Sequence, residues 1–281
     1  MLESDKKYYS KYNLIAGIDE AGRGPLAGPV VAASVIFEKN ISIDGVNDSK
    51  KISSKKRDLL YDKIIDKALY IGIGIVHSKE IDEINILNAT KKAMELSILD
   101  LGINPDFLLI DGNQIELSDY KQESIIKGDT KSFSIASASI IAKVTRDRMM
   151  ENYAKILPDY GFQNHKGYGT KKHIESIVEN KSSIIHRKSF NPVSNHLPSF
   201  NYYIKNNILD KLLIQVAGDY LIKNNYSIIS VIDLCINSKL NKKEKFFHIK
   251  SNLLQGNNDG NHDTIELNYK NGRFEININS I

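Results

Sequence analysis

Four acidic residues stand at positions where chemistry is as natural an explanation as folding. The run NLIAGIDE (13–20) closes on two adjacent carboxylates, Asp19 and Glu20; PDFLLIDGN (105–113) carries a third, Asp111; and IIKGDTKSFS supplies a fourth, Asp129. Brought together, four carboxylates repel one another strongly unless a cation lies between them. Oxygen donors alone suit Mg2+ or Mn2+ rather than Zn2+, and the chain offers no Cys or paired-His ligand motif. Two such ions about 3.5–4 Å apart would serve an in-line attack on a phosphodiester, one activating water and the other stabilising the leaving oxygen. The plain alternative makes each acid a turn or cap residue, and for Asp111 the sequence DGN is a turn signal in its own right. The pair Asp19–Glu20 resists that explanation best, because two acids ending an apolar run have little to do unless something binds them.

A short cationic turn follows at once. Gly22 and Gly24 permit positive φ and a close backbone approach, Arg23 between them offers planar donors, and Pro25 stiffens the exit. A phosphate or a ribose hydroxyl beside the metals would fit such a turn. An ordinary hairpin loop is the competing reading.

These residues need elements to hold them. The segments 13–20 and 28–37 read as two strands of a hairpin, and 47–68 as a polar loop that becomes a helix near Ser54. A strand over 70–78, an amphipathic helix over 85–102 closed by Gly102 and a buried strand over 105–113 follow. A long helix over 132–157, rich in small residues in its first half, precedes a loop and a helix starting near Thr170. That order predicts an α/β fold around a mixed sheet, in which sites form at the carboxyl ends of strands. The aperiodic, two-proline stretch 186–200 predicts a domain end and linker.

Bulk composition narrows the class. The 281 residues suit one main domain with or without an appendage, and a net charge of +4 points only weakly to a polyanionic partner. The single cysteine, Cys235, allows no disulfide framework and favours a reducing cytosol. No apolar run approaches about 18 residues, so no membrane span is expected, and the polar N-terminus lacks a signal-peptide core.

Taken together, GIDEAGRGPLAGPVVAASVI, NDSKKIS (47–53), IDGN (110–113), KGDTKSFSIASASIIAKVTRDRMM (127–150), YGFQNHKGYGTKKH (160–173) and HRKSFNPV (186–193) resemble the bacterial ribonuclease HII family, in family order over about residues 12–193. The resemblance implies an RNase H-like mixed sheet flanked by helices, with a catalytic domain over 1–195. It implies an endoribonuclease acting with two divalent metals, Mn2+ or Mg2+, on RNA–DNA hybrids or on DNA with embedded ribonucleotides. Cleavage would fall 5′ of a ribonucleotide and leave 3′-hydroxyl and 5′-phosphate ends. Asp19, Glu20, Asp111 and Asp129 match the metal-binding catalytic acids; Gly22, Arg23 and Gly24 match the turn that senses the ribose 2′-hydroxyl; Tyr168 matches the aromatic that packs on the neighbouring sugar. The 2′-hydroxyl is what separates RNA from DNA at one residue. Ser49, Lys50 and Lys51 fit phosphate contacts or a solvated basic loop. Lys143, Arg146 and Arg148 could touch nucleic-acid backbone, Asp147 reads as a salt-bridge partner, and His165 and His173 read as structural.

Residues 196–281 form a small α+β extension beyond the family's usual extent, with a helix, a turn at Asn224–Asn225 and a strand over 207–229, strands over 245–252 and 262–279, and an NG hairpin signal at Asn271–Gly272. Ten Lys and Arg against eight Asp and Glu over 199–281 make it no polybasic arm. It is faintly similar to the YraN-like nuclease-related family through AGDYLIKNNYSII, VIDL (231–234) and FFHIK (246–250), with His248 where that family's pattern has an acid; an accessory domain packed on the core is the alternative. Two other functional classes compete. A non-catalytic hybrid-binding module on the same fold is opposed by the intact acid set. A nucleotide-binding protein using GRGPLAG as a phosphate loop is opposed by the lack of both standard phosphate-loop patterns. Ribonuclease HIII, with its N-terminal substrate-binding domain, is disfavoured because the signature starts near residue 14. A monomer in the cytoplasm, working on nucleic acid and away from membranes, is expected.

Overall fold

The computed structural model describes residues 2–47, 49, 52–112, 115–206, 208–224, 226–232, 245–253, 263–270 and 273–280. The expectations attached to Lys50, Lys51, Asn225, Asp233, Leu234, Cys235 and Asn271–Gly272 lie outside those residues. The chain divides into two compact units, residues 1–148 and 149–281.

The first unit opens with α1 (Leu2–Tyr9), then β1 (Ile15–Ala21), β2 (Val30–Ile36), α2 (Ser54–Lys67), β3 (Tyr70–Val76), α3 (Ser78–Leu99), β4 (Phe107–Asp111) and β5 (Gln122–Ile125). A 3-10 turn, Gly128–Thr130, leads into α4 (Phe133–Ile156), which continues past residue 148. The sheet order is β3-β2-β1-β4-β5. β1 and β3 both pair antiparallel with β2, whereas β1 with β4 and β4 with β5 run parallel. This is the mixed sheet expected.

Strand alternation sorts the side chains between two helical layers. Ala33 and Val35 of β2 pack in one core with Leu60 and Ile64 of α2 and with Ala136, Ile140 and Ile141 of α4. The opposite face meets α3, where Ser34 Oγ lies 2.7 Å from Ser97 Oγ. Small residues set the layer spacing. A Cβ on Gly17 would lie 2.2 Å from the Ser134 backbone, and one on Gly74 would lie 1.9 Å from the Ala93 carbonyl. The close packing predicted for the first half of α4 is therefore present at β1.

Three features depart from the sequence reading. α1 is polar, yet Asp5 accepts hydrogen bonds from the Ser134 amide and hydroxyl at 3.0 Å each, and Tyr8 and Tyr12 stack on Phe107. α3 begins seven residues before the predicted start and breaks at Asn85 (φ 66°). The Asn85 side chain accepts from the amides of Leu87 and Asn88, so it caps the second half, and the sequence shows that cap alone. β5, short and polar, pairs only with β4.

The second unit holds the end of α4, α5 (Phe162–His165), α6 (Lys171–Asn180), α7 (Phe200–Lys205), α8 (Leu209–Lys223) and strands β6 (Tyr226–Ile232), β7 (Lys245–Leu253), β8 (Asp263–Lys270) and β9 (Arg273–Ser280). The four strands form an antiparallel meander in chain order, against which α8 packs through β6 and β7. α8 buries Ala217 and Leu221, and Asp219 accepts a 2.9 Å hydrogen bond from the Tyr153 hydroxyl. The stretch expected as a linker, 186–200, buries His186, Arg187 and Val193. It lacks periodicity because turns and side-chain contacts hold it in place of a helix or strand.

Candidate active site

β1 is driven into the sheet by its apolar residues, and its parallel register with β4 pairs Ile18 with Ile110. One step on, Asp19 and Asp111 occupy neighbouring strands at their carboxyl ends. Both fall on the face covered by α4, since Asp19 pairs with Ala33 and Leu109 packs on Ile135. Asp19 is almost fully buried. Burial pushes its carboxyl well above the ordinary carboxylate range, and the charges of Glu20 and Asp111 push the same way. The Ser139 hydroxyl from α4 and the Glu20 amide, the latter at 2.7 Å, both donate to Asp19 and oppose the shift.

A second hydroxyl backs the first. Ser49 Oγ, also buried, lies 2.9 Å from Ser139 Oγ. With the single Ser139 proton given to Asp19, Ser49 is the donor of that contact. The structure thus places Ser49, read from sequence as a phosphate contact, behind Asp19 with its hydroxyl turned to α4.

Asp111 reaches forward. Its Oδ1 accepts a 2.6 Å hydrogen bond from the Gly128 amide, which opens the 3-10 turn carrying buried Asp129. A side chain at Gly128 would press on Ile135 Cδ1 at 2.6 Å and on Asp111 Oδ1 at 3.2 Å, so glycine lets the turn close on the strand end. Glu20 alternates to the other face of β1, where its carboxylate meets the Arg23 guanidinium at 3.5 Å.

The turn after β1 is fixed from beneath. Gly22 has φ +100°, and a Cβ there would fall 2.1 Å from Arg146 Nε. Arg146, fully buried, donates from Nε to the Pro29 carbonyl at 2.9 Å and from Nη2 to the Ala27 carbonyl at 3.1 Å. That corrects its reading as a nucleic-acid contact: the guanidinium is spent inside the protein, on the loop bearing Gly22, Arg23 and Gly24. Asp147 is the internal partner expected, bridged by Lys143 at 2.7 Å and Arg57 at 3.6 Å. Arg148 is also engaged, 3.6 Å from Asp58 and over the Tyr61 ring.

Tyr168 belongs to the second unit, on the loop between α5 and α6, with its side chain substantially exposed. Its backbone is held at both ends, the amide donating to the His165 carbonyl at 2.9 Å and the carbonyl lying 2.9 Å from His173 Nδ1. Both histidines are structural, as expected.

Sequence reasoning missed Ser139 and gave Arg146 the wrong role. One signal was available for Arg146: it follows Ala138 and Ala142 at four-residue spacing, and that row is fully buried. A charge on such a row needs an internal partner.

All four acids offer oxygen only, and the charges of Glu20 and Asp111 act on buried Asp19, a donor set that fits a hard divalent ion. Among the described residues, no three His, Cys, Asp or Glu side chains form a group able to hold a metal as they stand. The acids adjoin without closing on a common point.

The sequence pattern of the family described as Ribonuclease HII matches residues 16–193, more than half of the chain. A protein named Ribonuclease HII from Acetivibrio thermocellus is 58% identical over 187 residues, covering 66% of this chain and 73% of that one. Another of that name from Enterococcus faecalis is 53% identical over 194 residues, covering 69% and 76%. Among solved structures, the ribonuclease H2 of Pyrococcus horikoshii matches with a TM-score of 0.56 at 26% identity, over 65% of this chain and 96% of that one. The RNase HII of Archaeoglobus fulgidus, solved as a PCNA complex, matches with a TM-score of 0.54 at 26% identity, over 67% and 98%.

Proposed function

Since the chain belongs to the ribonuclease HII family, whose members are metal-dependent endoribonucleases acting on RNA–DNA hybrids, we propose that Asp19, Glu20, Asp111 and Asp129 are its catalytic acids and hold two divalent ions, Mn2+ or Mg2+. The observation that carries this assignment is the register placing Asp19 beside Asp111, with the turn of Asp129 tied to Asp111 by the Gly128 amide. When bound, the ions would offset the carboxylate charges and polarise water and phosphate for hydrolysis.

The protein's own groups do the rest by holding position. Ser49 and Ser139 orient Asp19, and Asp111 anchors the turn of Asp129. Arg146 ties the Ala27–Pro29 end of the loop that bears Gly22–Gly24, whose amides would meet a ribose 2′-hydroxyl, the group on which the choice of ribonucleotide depends. Tyr168 supplies the ring that packs on the adjacent sugar. The reaction is cleavage 5′ of a ribonucleotide, in long hybrids or at one embedded in DNA, leaving 3′-hydroxyl and 5′-phosphate ends. We assign Arg23 and Lys50 to contacts along the substrate strand, and Ser49, buried against Ser139, to the support of Asp19. The family match ends at residue 193, which supports a catalytic domain over 1–195 and an accessory extension over 196–281. No described helix is long and apolar enough to cross a membrane. The cytoplasm and a monomeric state remain our assignment from the family likeness.

A binding module without catalysis is not favoured. The test is cleavage of a duplex carrying one embedded ribonucleotide, with Mg2+ or Mn2+, by the native chain and by Asp111→Asn. The variant should bind substrate and lose turnover; normal turnover would refute the site.

A further inference from the structure

Three histidines lie under the Tyr168 loop, and the catalytic assignment uses none of them. The rings of His165 and His173 stack with centroids 4.4 Å apart, the His186 ring lies 5.2 Å from that of His173, and Phe162 sets its edge on the first two. His173 and His186 are buried. Among the described residues the trio forms no group able to hold a metal, because each ring nitrogen already has another partner. His173 Nε2 faces His186 Nε2 at 3.0 Å. The outer nitrogens are engaged as well: His173 Nδ1 lies 2.9 Å from the Tyr168 carbonyl, and His186 Nδ1 lies 2.9 Å from the Ser183 amide and 2.7 Å from its hydroxyl.

Only one proton arrangement satisfies every partner. A carbonyl accepts and cannot donate, so His173 Nδ1 carries the hydrogen and its Nε2 is bare when the ring is neutral. His186 must then donate from Nε2, which leaves its Nδ1 to accept from Ser183. The line has a single direction, from Ser183 through His186 and His173 to Tyr168. His165 is fixed in the same way, donating from Nε2 to the Tyr160 carbonyl at 2.8 Å and accepting the Gly167 amide at Nδ1 at 3.2 Å. Burial favours this neutral form, lowering His173 to about 4 and His186 well below the usual range.

We propose that His173 and His186 are positioning residues for ribonucleotide recognition: their hydrogen-bond line ends on the Tyr168 carbonyl and fixes where the Tyr168 ring meets the sugar. The inference rests on the assignment of Tyr168 as the sugar-packing aromatic. An added proton, on Nε2 of His173 or on Nδ1 of His186, sets two donors face to face, so the line runs unbroken only while both rings are neutral.

A double-mutant cycle tests it, reading kcat/KM on a duplex with one embedded ribonucleotide and Mn2+ in the full chain. His173→Leu should lose about tenfold, the scale of one hydrogen bond. His173→Asn, whose amide can donate from the Nδ1 position, should stay within about threefold. In a Tyr168→Ala background, His173→Leu should add no further loss. Equal losses in both backgrounds, or none in the native one, would overturn the positioning role. Unchanged cleavage by Tyr168→Ala alone would instead overturn the Tyr168 assignment, and the line with it. Should His173→Leu fail to fold, nitrogen-15 NMR of the native protein at neutral pH decides: protonated Nδ1 on His173 with protonated Nε2 on His186 is required, and the reverse pattern refutes the proposal.

Discussion

Asp19 is where burial and charge act hardest against each other. Its carboxyl is raised in the folded protein, so the folded state keeps a proton that the unfolded chain releases. The stability tied to that proton is present at low pH and lost as pH rises through the raised value. In cation-free buffer at pH 7, Asp19→Asn should therefore raise the melting temperature, and Mn2+ should stabilise this variant less than the native chain. A lower melting temperature for the variant without cation would contradict the electrostatic account. Ser139 acts in the opposite sense, since its hydroxyl favours the charged form of Asp19. Ser139→Ala should move the acid limb of the pH–rate profile upward and reduce neutral-pH cleavage about tenfold, the scale of one hydrogen bond to a charged group. An unmoved limb would show that the contact does not tune Asp19. The acids themselves stand out in the sequence because Asp19, Glu20 and Asp111 end apolar runs. Ser49, Ser139 and Arg146 were not, because their partners are distant in sequence: Ser49 meets Ser139 ninety residues away, and Arg146 meets Pro29 across 117.

At the level of elements, the site depends on β1 lying tightly against the start of α4. Gly17 makes that approach possible, and Gly17→Ala would force a carbon to within 2.2 Å of the Ser134 backbone. We expect a loss of about 1–3 kcal/mol in urea denaturation, the usual scale of overpacking. Cleavage should fall as well, because Asp19 sits two residues along the same strand. A variant as stable and active as the native chain would contradict the close approach of β1 to α4 at Gly17. Most elements could be read from the sequence because apolar periodicity reports which side of a strand or helix is covered. α1 could not. Its hold on the fold is Asp5 bonded to Ser134, 129 residues away, and aromatic stacking on Phe107. β5 has too few apolar residues to announce a strand and exists because β4 offers it an edge.

For the whole molecule, the histidine cluster ties stability to pH. His173 is lowered to about 4, and His165 and His186 are lowered too, in each case chiefly by burial. Between the ordinary histidine value near 6.5 and those depressed values, the unfolded chain binds more protons than the folded one. Stability should be full above about pH 6.5 and fall as pH drops toward 4, and His186→Asn should flatten that slope in chemical denaturation; an equal slope in variant and native chain would dissociate the cluster from the effect. The extension carries stability of another kind. Beyond the Tyr153–Asp219 hydrogen bond, Lys211 bridges Asp159 at 2.7 Å and Gln215 accepts the Ile184 amide at 3.3 Å. A chain ending at residue 198 should melt at a lower temperature and still cleave; undiminished stability would show α8 to be a passive appendage. Gly218 of α8 opens a way to study that extension in place. A Cβ there would fall 2.3 Å from Ile156 Cδ1, so the helix is notched where the isoleucine enters. Filling the notch with Gly218→Leu would lift the helix from its seat without severing it, giving a protein of native length in which attachment and mere presence can be told apart.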